Sequence, residues 1–350
     1  MSFSREKREN IRTYILEKIN DDQENFVSSI AQKCSTSPTT IRRYLKSLEE
    51  SGAIKRCDRK SGYELVSTVN KIFEFEPQDT QLEEDRIYET TLFPIIRDLP
   101  ENIQKIWGYA FTEIMNNAIE HADAHVIKVW ITQNALDTLV LILDDGVGIF
   151  NKLRAYISNK EHQEVSLDDA VSALFIGKLT TNSEKHSGEG IFFSSRVTDD
   201  FIIVSSGKVF THNQYDVSEK WDLGSIDDNI SKMAATTVMM RLCNNSKREL
   251  REVFDMFSTI DDGFCKTQVP IKNMITSGFP VSRSQARRLC SGFDKFEEVE
   301  LDFKGIDEIG QAFAHEIFVV YKRNYPSVKF TVKNANKRVS GMIAHVQNSI

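Results

Sequence analysis

The sequence predicts an α/β multidomain chain: three short helices and a hairpin, then a larger α/β layer, then a small alternating β/α unit. Three observations predict it. At 350 residues the chain is too long for one ordinary core, so about two or three folding units are expected. Apolar residues recur at helical spacing in some stretches and run continuously through others, as amphipathic helices and buried strands require. The charge is uneven: residues 1–70 hold 13 Lys/Arg against 10 Asp/Glu, so with a net charge of −7 the remainder carries −10.

Composition excludes several classes. Hydrophobic content of 40% with 27% charged residues is that of a globular protein, and no apolar run approaches the ~20 residues needed to cross a bilayer. No membrane partner is expected. The start, MSFSREKREN, is polar and does not read as a signal peptide. Cys34, Cys57, Cys243, Cys265 and Cys290 are scattered, with neither CxxC nor Cys/His metal spacing, so reduced thiols and a cytoplasmic location are expected. A net negative charge argues against a chain coated for nucleic acid. Any such contact belongs near the basic N-terminus.

The first unit, 1–70, reads as helices over Ile11–Ile19, Phe26–Lys33 and Ser37–Ser51. Ser37-Pro38 supplies a cap and a helix-initiating proline, and Gly52 ends the third helix. Ile41, Leu45 and Leu48 fall on one apolar face, which leaves Thr39, Arg42, Arg43 and Lys46 exposed as candidate DNA contacts. Two strands, Ala53–Arg56 and Gly62–Val66, flank a basic turn carrying Arg59 and Lys60. This order resembles a winged helix-turn-helix of bacterial transcription regulators.

Residues 71–91 are acidic and interrupted by Pro77, and read as a linker. A long helix from Pro100 to His121 follows, then the alternating strand Val126–Ile131 and the buried strand Leu139–Leu143. On that helix Glu113 and Asn117 are four apart and share a face. An amide oxygen can ligate Mg²⁺, and a carboxylate one turn earlier can activate a water. After the buried strand comes Asp144-Asp145-Gly146-Val147-Gly148. A carboxylate at a strand end can accept the exocyclic amine of adenine, while glycines allow close approach of backbone to the ring. A polar lid over Ser158–Ser187 leads to Lys185-His186-Ser187-Gly188-Glu189-Gly190, which opens an apolar helix whose N-terminal amides suit phosphate oxygens. Thr236 and Thr237 then stand at the mouth of another buried strand.

In this order the elements resemble the GHKL (Bergerat-fold) superfamily of gyrase-type, chaperone, mismatch-repair and histidine-kinase ATPases, over about 90–243, with the ATP-binding domain drawn at 92–245. The resemblance implies a GHKL α/β sandwich, a mixed sheet with helices on one face, that binds ATP with Mg²⁺. It implies Asn117 on the metal and Glu113 as metal neighbour and water-activating base. Asp144 corresponds to the adenine-reading residue, with Gly146 and Gly148 completing that box. Lys185, Gly188 and Gly190 lie on the lid side, and Thr236 or Thr237 in the last box. The chain departs from the family pattern at His186 and Ala235, where glycines are common.

A connecting helix over 246–265 precedes a last unit, 266–350. Its segments SRSQARRL, LDFKGIDEIGQAFAHEIF and NANKRVSGMI resemble a STAS-like domain of uncharacterised function. Where STAS partners of anti-sigma kinases carry a phosphorylatable serine, this chain has Ile309-Gly310-Gln311-Ala312, so a docking or self-associating module for a protein partner is expected. Taken together the units imply an ATP-gated regulator, a slow ATPase in preference to a kinase, coupled to DNA- or protein-binding modules. Two other readings are a serine/threonine kinase of the anti-sigma type and a DNA-binding transcriptional regulator with a ligand-sensing pocket.

Overall fold

The computed structural model describes residues 4–21, 25–77, 82–162, 164–178, 189–212, 234–259, 263–275 and 279–348. At the N-terminus, α1 (Arg5–Asn20), α2 (Phe26–Lys33) and α3 (Pro38–Glu50) pack beside an antiparallel hairpin of β1 (Ile54–Arg56) and β2 (Tyr63–Leu65). Ser37 starts α3 by accepting the Thr40 amide at 3.2 Å, with Pro38 in the first turn. Ile41, Leu45 and Leu48 are buried with Ile15, Ile19, Phe26 and Ile30 in a core of their own.

The central sheet has six strands: β3 (Val69–Phe75), β4 (Ile127–Gln133), β5 (Asp137–Asp144), β6 (Asp200–Ser205), β7 (Lys208–Thr211) and β8 (Thr236–Cys243). Their order is β3-β4-β5-β8-β6-β7, and every neighbouring pair is antiparallel. The expected mixed sheet is therefore corrected. β5 and β6 run in the same direction, but β8 inserts between them and pairs antiparallel with both.

Around the sheet lie α4 (Glu84–Thr91), α5 (Phe93–Ile96), α6 (Glu101–His121), α7 (Ile149–Glu161), α8 (Leu167–Ile176) and α9 (Gly190–Val197). Among the described residues the helices cover one face, that of Val129, Val140, Ile142, Ile203, Val238 and Met240. The opposite face carries a smaller cluster of Leu141, Leu143, Ile202 and Met239 beside Trp130. Two sequence expectations change. The linker 71–91 contains most of edge strand β3 and all of α4, which packs on α6. The polar lid contains α8, which buries Ala170, Val171, Leu174, Phe175 and Ile176.

The C-terminal part begins with α10 (Leu250–Phe257) and the two-residue strands β9 (Ser258–Thr259) and β10 (Gly263–Phe264). β11 (Lys266–Pro270), β12 (Glu298–Asp302) and β13 (Lys329–Lys333) form a parallel sheet. Helices α11 (Ile271–Met274), α12 (Arg283–Cys290), α13 (Gln311–His315) and α14 (Lys337–Gln347) alternate with its strands, and a π-helical stretch, Glu316–Tyr321, prolongs α13. Thr267 Oγ1 donates to the Ile176 carbonyl at 2.7 Å and Asn273 Nδ2 to that of Thr211 at 3.0 Å. One buried cluster accordingly runs from Ile87 in α4 to Val346 in α14, through the central and C-terminal parts together. No helix among the described residues is long and apolar enough to cross a membrane.

Candidate functional site

Asp144 closes β5 on the helix-covered side of the sheet, since side chains alternate along a strand and Val140 and Ile142 face that side. It is 7% exposed, and its Oδ1 accepts the Gly146 amide at 3.0 Å. Burial pushes its pKa up to about 6, against the lowering effect of the Gly146 amide and the Thr236 hydroxyl. Thr236 is its cross-strand partner on β8, and Thr236 Oγ1 in turn accepts the Ile149 amide at 3.1 Å. A second backbone bond, Ala235 N to Asp144 O at 2.7 Å, closes the corner.

The neighbouring aspartate does something else. Asp145 Oδ1 accepts the amides of His125 and Val126 at 2.7 and 2.9 Å, pinning the entry to β4. Burial raises its pKa, but those two bonds and the His125 charge outweigh this and hold it below the ordinary carboxylate value. Thr237, grouped with Thr236 from the sequence, points to the opposite face with Met239 and is withdrawn from the corner, again by strand alternation.

The glycines meet protein atoms. A β-carbon on Gly146 would run into the Ala122 carbonyl at the end of α6, which already accepts the Val147 amide at 2.9 Å. On Gly148, at φ +84°, it would stand 2.9 Å from Ser205 Oγ. Lacking a β-carbon, Gly146 and Gly148 let the β5 turn fit beneath α6 and against β6. At the start of α9 a β-carbon on Gly190 would meet the Glu113 carboxylate, so α6 and α9 touch through this pair.

Glu113 and Asn117 are half-buried on one side of α6, which packs on β5 and ends at Ala122 over the Asp144 corner. From Glu113 to Ala122 the helix rises by about 13 Å. Lys185 and Gly188 lie outside the described residues. Among the described residues no group of three or more His, Cys, Asp or Glu is placed to hold a metal ion.

On the N-terminal unit, Thr39, Arg42, Arg43 and Lys46 line the exposed side of α3. Lys46 approaches Glu50 at 3.7 Å, whereas among the described residues neither Arg42 nor Arg43 has an ion-pair partner. Arg59 and Lys60 are exposed at the tip between β1 and β2. The strands behind them are braced by Lys55–Glu64 and Arg56–Glu49 at 2.7 and 3.0 Å.

Two features escaped the sequence. Leu136, between β4 and β5, is buried in the core of the N-terminal unit; a single apolar residue in a turn has no periodicity to betray it. Arg196 on α9 bonds His212 at 3.0 Å and the Gln268 carbonyl of β11 at 3.1 Å, joining the two sheets.

Comparison with known families bears on both ends of the chain. No curated protein matches it. Residues 285–340 match the STAS-like domain of unknown function (DUF4325), and residues 12–66 the DeoR-like helix-turn-helix domain. The chain is thus an α/β multidomain protein with a large antiparallel sheet, a DeoR-type helix-turn-helix at its N-terminus and a STAS-like domain at its C-terminus.

Proposed function

We propose that the chain is a DNA-binding transcriptional regulator whose central unit senses an adenine nucleotide. The observation that carries the DNA half is the exposure of Arg42 and Arg43 together on α3, inside the DeoR-like match. In this reading Thr39, Arg42, Arg43 and Lys46 enter the major groove, and Arg59 and Lys60 meet phosphates from the wing. Selection from a random duplex pool on the full chain, followed by fluorescence anisotropy, tests it. Binding should weaken steeply as salt rises, because phosphate contacts release counterions, and Arg42→Ala should cost about 1–3 kcal/mol. Failure to enrich any duplex, or affinity indifferent to salt, removes this reading.

The nucleotide half takes residues 92–245 as a GHKL-type unit between the segments 1–70 and 266–350. It is supported by a buried carboxylate at Asp144 whose pKa lies near 6, beside Thr236 and below the end of α6. In this reading Asp144 accepts the exocyclic amine of adenine, Asn117 ligates Mg²⁺, and the amides opening α9 at Gly190 meet phosphate, with Lys185 and Gly188 beyond the described residues. Mg²⁺ would neutralise phosphate charge. Glu113, the base a hydrolase or an anti-sigma-type kinase would use, adjoins Gly190 at the start of α9. The C-terminal unit serves as a docking or self-associating module. Calorimetry with a non-hydrolysable Mg·ATP analogue is the test. Loss of a charge-assisted bond worth about 1.5–3 kcal/mol should weaken binding to Asp144→Asn about 10- to 100-fold, and undiminished affinity removes the pocket assignment.

A further inference from the structure

The seam between the winged helix and the central sheet is built on the same two strands that carry Asp144 and Thr236. Leu136 is 4% exposed, and its burial is in the cluster of Ile15, Ile19, Phe26 and Leu45, with Ala135 and Cys243 packed against it. Its turn is held on all sides. Asn134 Oδ1 accepts the amides of Leu136 and Asp137 at 2.7 and 3.0 Å, and Asn244 donates its backbone amide to the Leu136 carbonyl at 2.9 Å. Thr138 Oγ1 bonds Asn244 Oδ1 at 2.8 Å, inside the same buried knot. Thr68, between β2 and β3, donates its amide to Gln133 at 2.8 Å, and Asn245 Nδ2 reaches Thr13 of α1 at 3.4 Å.

From this knot the β5–β8 ladder runs unbroken, from Asp137 opposite Cys243 to Asp144 opposite Thr236. That is about 24 Å of paired strand. The ladder is buried over most of its length, and close-packed interiors of low compressibility transmit strain. At its far end Leu136 fills a place in the core of the winged helix.

We propose that the β5–β8 ladder couples the two sites, so that occupancy of the Asp144–Thr236 corner changes the DNA affinity of α3 through Leu136. This rests on the functional reading above. Such coupling requires that the nucleotide bind two arrangements of the chain unequally, and thermodynamic linkage then makes the effect reciprocal.

The test uses the full chain, a duplex enriched from the random pool and the non-hydrolysable Mg·ATP analogue. Anisotropy gives the DNA Kd with and without analogue, and calorimetry gives the analogue Kd with and without duplex. A change of at least about 5-fold is expected, equal in both experiments. In Leu136→Ala, with circular dichroism confirming a folded winged helix, both ligands should still bind and the factor should fall towards one. Leu136→Met should restore it. Where Leu136→Ala unfolds the winged helix, Leu136→Val takes its place in the comparison. If wild type binds both ligands with no mutual effect, the coupling is overturned and the functional reading stands. An unchanged factor in a folded Leu136→Ala overturns the role of Leu136. If the analogue or every duplex fails to bind, the functional reading falls and the coupling falls with it.

Discussion

Arg196 and His212 face one another with guanidinium Nη1 3.0 Å from imidazole Nε2, in the seam between α9, β7 and the C-terminal β11. The arginine cannot accept a hydrogen bond, so His212 accepts through Nε2 and must be neutral. Burial, and then the Arg196 charge, holds its pKa well below the ordinary 6.5. The aromatic edges of Phe175 and Phe210 pack around the ring and offer no counter-charge.

Acid should therefore open this seam. Below pH 6.5 the unfolded chain takes up a proton on His212 that the folded chain refuses, so stability present above 6.5 is lost as pH falls towards the folded pKa. Urea midpoints across that range should drop, and should drop less in His212→Gln, which keeps an acceptor for Arg196 but does not titrate. Equal slopes in the two proteins would contradict the assignment.

Asp144 works in the opposite direction. Its pKa is raised from 3.8 to about 6, so between those values the folded chain keeps a proton that the unfolded chain releases. Raising the pH through that window costs stability, on the order of 3 kcal/mol by neutrality. The side-chain amide introduced by Asp144→Asn would keep an acceptor for the Gly146 amide without the buried charge. The variant should be more stable by about 1–3 kcal/mol at neutral pH, with the gain shrinking as pH approaches 4. Urea denaturation at several pH values measures it, and a destabilised variant at neutral pH would show that the charge is compensated by a partner.

Gly146 and Gly190 should respond differently to the same methyl group. In Gly146→Ala the new atom meets a backbone carbonyl, that of Ala122, which is fixed by its own bond to Val147. Relief requires α6 or the β5 turn to move, at a cost of about 2 kcal/mol or more. In Gly190→Ala the obstacle is the far end of a flexible Glu113 side chain, which can turn aside, so less than about 1 kcal/mol is expected. Thermal melts of the two variants decide; equal losses would mean that Glu113 is as rigidly held as the helix end.

The elements that were legible in the sequence are those fixed by local rules. Ser37-Pro38 and the spacing of Ile41, Leu45 and Leu48 define α3 without reference to any other part of the chain. What escaped depends on distant partners. β3 looked like an acidic linker because its alternation matters only once it pairs with β4. The choice between Thr236 and Thr237 needs the β5–β8 register, and the antiparallel sheet needs β8 between β5 and β6. The Asp-x-Gly-x-Gly signal was plain, but its glycines answer to Ala122 and Ser205, contacts no spacing rule contains.

Arg241, on β8, is held between Asp200, which is 1% exposed, and Asp137, 3.2 Å from its Nη1. Burial opposes the charge on Arg241, yet the two carboxylates raise its pKa, while burial raises that of Asp137 despite the arginine. Arg241 thus serves two buried acids at once. Arg241→Met should cost about 3–5 kcal/mol, since it removes the guanidinium that both buried carboxylates bond. Adding Asp200→Leu and Asp137→Asn should recover much of that loss, because removing a whole buried ionic group spares the desolvation that breaking it exposes. The amide oxygen introduced by Asp137→Asn would still accept from the Asn134 side-chain amide that Asp137 engages at 2.9 Å, so the turn before β5 survives the triple change. Denaturant midpoints of the single and triple variants measure the difference. A triple variant no more stable than Arg241→Met would mean that the triad contributes net stability as an ionic group.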